Sequence, residues 1–330
     1  MRFEAETGYK VDFHMIGALR VALSSRALSS IRSDAAVAHD AGVVVEHVSR
    51  DDIARLAPPI TFDEVVGGTF VLREGYITST RDAAIGMARA AAKEGALVRT
   101  HVEVRRLRPR DDDGYDIETS QGIVHAKKVV LAANAGGWSL TQQMGLLYPS
   151  YPVLHECAVY SLSKDVMYGM PTVRLGEHDL YIRYEAAGLM IGGVGRHADG
   201  PSPAASPGDF FLAKVMVDPV ELKDARERAR PFVPGVDGAL CFRQQRGLAM
   251  VAPDLEPVAC EFIPNLYVVS ADLRGVQAGP ALGRLAAELA ALGKSELDHP
   301  MFDPKRFRDL TDASQMRQAA VAGIRPKAAA

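Results

Sequence analysis

Apolar positions along this chain change period from segment to segment, and the changes mark out its elements. Residues 11–22 carry the apolar content of a strand, with Gly17 as a turn candidate inside it. Residues 27–41 follow with helical spacing, and 43–48 read as a short strand. Ser49 is placed to cap a helix, because Asp52 stands three residues on, Ile53 and Leu56 supply an apolar face, and Pro58-Pro59 ends the run. Thr78-Ser79-Thr80-Arg81-Asp82 is a second capping sequence, opening an alanine-rich amphipathic helix that runs to about Glu94 and closes at Gly95. Strands are expected over 97–107, 115–119 and 122–126, with Asp113-Gly114 and Gln121-Gly122 as hairpin turns. Residues 127–133 read as a buried strand.

The second half is strand-rich, with expected strands at 156–162, 172–175, 181–185 and 189–193. A proline-rich polar loop at 200–207 precedes a helix at about 220–230, and 235–247 leads into the last unit. That unit, residues 265–284, holds Leu266, Val268 and Val269 as a core strand, then a loop with Gly275 and Gly279. A helix follows, opened by Pro280, with Leu282, Leu285, Ala286 and Leu289 on one face. A strand that feeds a helix through such a loop aims unpaired N–H groups and a positive dipole end at whatever lies there. The tail after Phe307 is expected to be helical at most, with 319–330 frayed. The alternation describes a mixed α/β or α+β protein of about two domains.

Composition narrows the function classes. Apolar residues make up 48% and charged residues 24% of the 330, which suits a soluble globular protein. The formal net charge of -3 argues against a nucleic-acid partner. Arg105-Arg-Leu-Arg-Pro-Arg110 is followed at once by Asp111, Asp112 and Asp113, so it reads as a solvated turn. Cys157, Cys241 and Cys260 are too scattered for a zinc knuckle or a redox pair, and with the acidic start of the chain they point to a cytoplasmic protein with no membrane span. His14, His155 and His178 lack metal-ligand spacing and read as surface or satisfied core residues. Gly193-Val-Gly195-Arg-His-Ala198 matches a dinucleotide fingerprint, but Asp199-Gly-Pro-Ser-Pro203 cannot start the helix that the fingerprint requires.

Several segments, in order, resemble the FAD-dependent D-amino-acid-oxidase-like superfamily, especially its glycine, sarcosine and dimethylglycine oxidising branch. They are Thr7 to Ala22, Gly75-Tyr-Ile-Thr-Ser79, Lys127-Lys-Val-Val-Leu-Ala-Ala-Asn-Ala-Gly-Gly-Trp-Ser139, Leu180-Tyr-Ile-Arg-Tyr-Glu-Ala-Ala-Gly-Leu-Met-Ile-Gly-Gly193, Gly247 to Asp254 with Pro257-Val258, and the closing unit. The resemblance implies an FAD-binding Rossmann-like domain interleaved with an antiparallel-sheet substrate domain. Residues 1–74 and 151–245 would belong to the substrate side, 75–150 and 246–310 to the FAD side, and 311–330 to a tail. The family's first βαβ unit, with its GxGxxG, has no counterpart here, so the FAD domain is expected to be N-terminally incomplete. A fragment, weak FAD binding or a partner chain that supplies the unit would each account for that.

The resemblance also implies a chemistry: FAD takes hydride from the carbon beside the nitrogen of an amino acid or N-methylated amine, and the imine then hydrolyses. Tyr181 and Arg183 alternate with Ile182, so both face one side of their strand, and the resemblance points them at substrate. The position of the branch's carboxylate-binding Arg is Ala249 here, which leaves Arg274 or Arg246 as substitutes. The position of a flavin-linking Cys is Gly247. Cofactor contacts are implied for Val104, Ala133, Asn134, Gly136, Trp138, Gly247 and Asp254, and for Gly275, Val276 and Gln277 at the flavin edge. Alternatives are a truncated, non-catalytic family member or subunit, and a 2-hydroxy acid or polyol phosphate oxidase of the same fold.

Overall fold

The structure is a computed structural model that describes residues 2–61, 63–162, 169–185, 188–194 and 219–324. The 200–207 loop and the residues after Val194 in the GxGxxG-like stretch lie outside them. The helices are α1 (Arg2–Thr7), α2 (Ser25–Asp40), α3 (Arg50–Leu56), α4 (Thr80–Lys93), α5 (Ala135–Gln142), α6 (Pro219–Ala229), α7 (Gly275–Leu292) and α8 (Ala313–Ile324). The first eight strands are β1 (Phe13–His14), β2 (Ala18–Ala22), β3 (Glu46–Val48), β4 (Gly67–Val71), β5 (Tyr76–Ile77), β6 (Val104–Pro109), β7 (Tyr115–Thr119) and β8 (Gly122–Ala126). The others are β9 (Val129–Leu131), β10 (Tyr151–Ser161), β11 (Thr172–Leu175), β12 (Leu180–Glu185), β13 (Gly188–Val194), β14 (Leu240–Val251), β15 (Val258–Ile263) and β16 (Leu266–Ser270). The fold is mixed α/β, as the alternation of elements predicts.

An eight-stranded sheet in the order β14-β10-β13-β12-β11-β2-β4-β3 dominates. Its pairs are antiparallel except β11 with β2, a parallel contact that joins segments far apart in sequence. Period-2 alternation sorts its two faces. Val173 and Leu175 of β11, Ile182 of β12, Leu189 and Ile191 of β13 and Ala158 and Tyr160 of β10 point into one core, closed by Ile53 of α3 and by Ala229 and Phe232. Arg174, Tyr181, Arg183, Met190, His155 and Cys157 occupy the alternate positions. A second core gathers Trp138, Tyr148, Tyr151, Met250 and Val268 around the three-stranded sheet β15-β16-β9. β6, β7 and β8 form the expected meander, in register through Asp116↔His125 and Leu107↔Ile117.

Capping chemistry sets several boundaries. Ser49 and Asp52 form a reciprocal capping box on α3, and Ser79 caps α4 through the Asp82 amide. Other boundaries differ from the sequence expectation. Gly17, at φ +82, splits the expected first strand into β1 and β2. The expected strand 97–107 begins only at Val104, because β6 finds its partner β7 from there on, and Leu97 stays 79% exposed. The expected buried strand 127–133 shortens to β9, which among the described residues pairs with β16 alone and leaves Val130 exposed.

Two expectations near the C-terminus are corrected. α7 starts at Gly275, so the expected glycine loop forms its first turn and Pro280 lies inside the helix. A proline disfavours helical conformation in the preceding residue by clashing with its backbone and Cβ, and Gly279 has no Cβ. The tail is not frayed through residue 324: α8 docks with Met316 and Ala320 fully buried in the second core.

Candidate functional site

A cavity of about 640 Å³ lies on the polar face of the large sheet. Strands β11, β12, β10 and β14 line it from the sheet, and the first turn of α7 lines it from another side. It brings together Tyr181, Arg183, Arg274, Gly275, Val276 and Gln277, six residues singled out from the sequence.

Tyr181 is seated by what is missing opposite it. It pairs across β12–β13 with Gly192, where an added Cβ would come within 2.4 Å of the Tyr181 ring. The ring stacks on His155 of β10, with centroids 5.7 Å apart and planes 10° apart, and packs against the cluster of Cys157, Val159 and Met190. Burial pushes the Tyr181 phenol well above its usual value, so it stays protonated. The same burial, with the positive charge of Arg174, lowers the pKa of His155 and favours the neutral imidazole.

Arg183 is committed to protein partners. Its Nε donates to Glu185 Oε2 at 3.0 Å, and its guanidinium lies 4.2 Å from the centre of the Tyr76 ring. Tyr76 in turn donates from its hydroxyl to the Tyr184 carbonyl at 2.9 Å. Glu185 is buried and also pairs with Arg243, so one carboxylate serves two guanidinium groups. A buried carboxylate needs such partners, because removing one would leave an uncompensated charge. Arg274 is likewise engaged, at 2.7 Å from Glu256.

The first turn of α7 presents backbone N–H groups to the cavity. Its N-cap, Arg274, makes no side-chain cap, so the first-turn amides are free of side-chain acceptors. A Cβ at Gly275 or Gly279 would meet nothing within 4 Å, so there is open space beside this turn. These amides and the helix dipole fit a flavin ring edge, which accepts hydrogen bonds and gains negative charge on reduction. Gly275, Val276 and Gln277 are the residues that would hold it.

The remaining sequence candidates do not line the cavity. Val104 is partly exposed at the start of β6. Ala133 and Asn134 are exposed beyond β9, and Asn134, at φ 47, donates from Nδ2 to the Leu248 carbonyl at 3.1 Å. Gly136 is in the first turn of α5. Trp138 is fully buried, edge-on to Tyr151 at 5.2 Å. Gly247 sits on β14 opposite His155. Asp254 accepts from Arg306 Nε at 2.6 Å.

Two cavity residues escaped the sequence analysis: His155, read there as surface or satisfied core, and Arg174. Both follow from the alternation that found Tyr181, applied to β10 and β11. No helix among the described residues is long and apolar enough to cross a membrane.

The model of the FAD dependent oxidoreductase family matches residues 2–289. Mouse mitochondrial dimethylglycine dehydrogenase is 25% identical over 317 residues, which cover 93% of this chain and 36% of that protein. The formaldehyde-forming 4-methylaminobutanoate oxidase of Paenarthrobacter nicotinovorans is 26% identical over 310 residues, covering 93% and 37%. The chain thus spans little more than a third of the length of these relatives. The crystal structure of glycine oxidase from Geobacillus kaustophilus shares the fold, with a TM-score of 0.74 at 22% identity over 92% of this chain and 78% of that one. With the family model matching most of its length, the chain belongs to the FAD dependent oxidoreductase family.

Proposed function

We propose that this chain is the oxidising unit of an FAD-dependent amine oxidoreductase acting on a small amino acid or N-methylated amine of the glycine, sarcosine or dimethylglycine type. The observation that carries this reading is the shared cavity, with the uncapped first turn of α7 on one side and the Tyr181–His155 pair on another. Bound flavin supplies a two-electron acceptor. The chain's own residues prepare the substrate. His155, favoured as the neutral imidazole, takes the proton from the substrate ammonium and frees the nitrogen lone pair. Tyr181, held protonated, orients the substrate by donating a hydrogen bond. Flavin, once bound, would accept the hydride from the carbon beside nitrogen, and water would convert the resulting imine or iminium to a carbonyl compound and the shortened amine.

In this reading residues 75–150 and 246–310 serve the cofactor, and 1–74 and 151–245 serve the substrate. Val104, Ala133, Asn134, Gly136, Trp138, Gly247 and Asp254 belong to the cofactor side. A partner polypeptide would fit the edge of β9, which is unpaired among the described residues and where Val130 is exposed. Three free cysteines support a reducing, cytoplasmic setting.

Absorbance of the purified chain tests the proposal. It is expected to show a flavin spectrum, alone or after addition of FAD, that bleaches anaerobically on addition of N,N-dimethylglycine or sarcosine. A sample that stays colourless with added FAD would overturn catalysis by this chain, and bleaching by 2-hydroxy acids alone would move it to the alcohol-oxidising class.

A further inference from the structure

We infer that Arg174 is the anchor for the substrate's carboxylate, and hence that the cavity selects amines carrying a free carboxylate. The inference rests on the amine-oxidoreductase reading for the identity of the site, and on charge accounting within the cavity for the residue. Arg183 and Arg243 share Glu185, and Arg183 also covers Tyr76. Arg274 is paired with Glu256. Ala249, on β14, supplies no charge. Arg174 is different: it lines the cavity, is exposed to it, and among the described residues has no ion pair or hydrogen bond.

Its position suits the task. Arg174 stands directly opposite Tyr181 in the β11–β12 ladder, so the two side chains rise from the same face of neighbouring strands, about 5 Å apart. Its charge is felt by both Tyr181 and His155. A carboxylate at Arg174 would therefore put an amine one or a few bonds away beside the Tyr181–His155 pair. A guanidinium with all its donors free offers a carboxylate two parallel hydrogen bonds, which a committed one cannot. Arg81, on the first turn of α4, also lines the cavity and is the competing cation.

Calorimetric titration of the full chain separates these possibilities without turnover. The probe is N,N,N-trimethylglycine, which lacks a nitrogen lone pair and is not oxidised, compared with its amide, which has the same cationic nitrogen and no carboxylate. The expected result is that Arg174→Gln weakens trimethylglycine about 10- to 100-fold, the range of a charge-assisted hydrogen-bonded pair. Arg174→Lys should keep part of the affinity, and the amide should bind weakly and equally to all variants. The inference is overturned if the parent chain does not bind trimethylglycine, if Arg174→Gln leaves its affinity unchanged or weakens acid and amide alike, or if Arg81→Gln carries the loss instead. Unchanged circular dichroism and melting of each variant guard against misfolding. The outcome is separable from the wider reading. Flavin bleaching by amines with no preference for the acid would overturn the anchor and leave the oxidoreductase standing. Arg174-dependent binding in a chain that never takes up FAD would do the reverse.

Discussion

Asp272 carries the most strained ionisation in the neighbourhood of the cavity. It lies in the short turn between β16 and α7, at φ 55, a left-handed conformation that aspartate tolerates better than most side chains. Its Oδ1 is buried without a hydrogen-bond partner among the described residues, and burial pushes its carboxyl up to about 7. The nearby Asp254 and Glu256 add to that shift, while Arg274 opposes it. The sign follows from linkage. Below the ordinary pKa of 3.8 both states are protonated and Asp272 costs nothing. As pH rises from there towards 7 the unfolded chain releases its proton first, so the folded state loses stability across that window. The full penalty, on the order of 2 to 4 kcal/mol, is reached above neutrality. Asp272→Asn, which keeps shape and left-handed tolerance, should melt higher than the parent at pH 8 and lose most of that advantage at pH 4.5. Equal differences at the two pH values would contradict the assignment. At this scale the sequence was readable where one rule sufficed. Alternation alone put Tyr181 and Arg183 on one face, but it could not show that Glu185 already occupied Arg183, nor that Arg174 has no partner among the described residues. Those facts depend on which strands lie side by side, and β11 meets β2 across a long stretch of chain.

Elements were legible where their ends carry local chemistry. Ser49, Ser79 and Gly95 bound α3 and α4 as expected, because capping is decided within a few residues. α7 is the instructive exception. A proline beside glycine suggests a helix start, and the structure instead carries the helix a full turn further back, to Gly275. Pro280 then removes one N–H that would otherwise reach the Val276 carbonyl. Pro280→Ala should restore that bond. It also frees the unfolded chain, which returns about 0.4 to 1 kcal/mol of the gain. The net expectation is a stabilisation of about 1–2 kcal/mol, measured as a higher denaturation midpoint with an unchanged slope. A lower midpoint would mean that the first turn of α7 is not helical in the folded protein. α8 shows the opposite failure of local signals: its sequence looks like a frayed alanine-rich tail, and only the pocket that receives Met316 and Ala320 makes it an element.

Across the whole molecule, two strands tie the two cores together. β10 contributes Tyr151 and Val153 to the core around Trp138, and Ala158 and Tyr160 to the core beneath the large sheet. β14 runs beside it in near-continuous register, from Tyr151↔Val251 to Ser161↔Leu240, and brings Met250 and Val251 to the Trp138 side. Neither core can open without breaking a ladder the other depends on, so they are expected to unfold as one unit. Trp138 is the sole tryptophan and is fully buried in one core, which makes its fluorescence a report on that core alone. Leu189 is fully buried in the other. Leu189→Ala should cost about 2–5 kcal/mol through lost contacts and a cavity. If the cores are coupled, the Trp138 fluorescence transition should move to lower denaturant by the same amount as far-ultraviolet circular dichroism. A fluorescence midpoint that stays in place while the dichroism midpoint falls would show that the cores are separate folding units. It would also mean that the cavity, which borrows one wall from the sheet and another from α7, is held together by something other than β10 and β14.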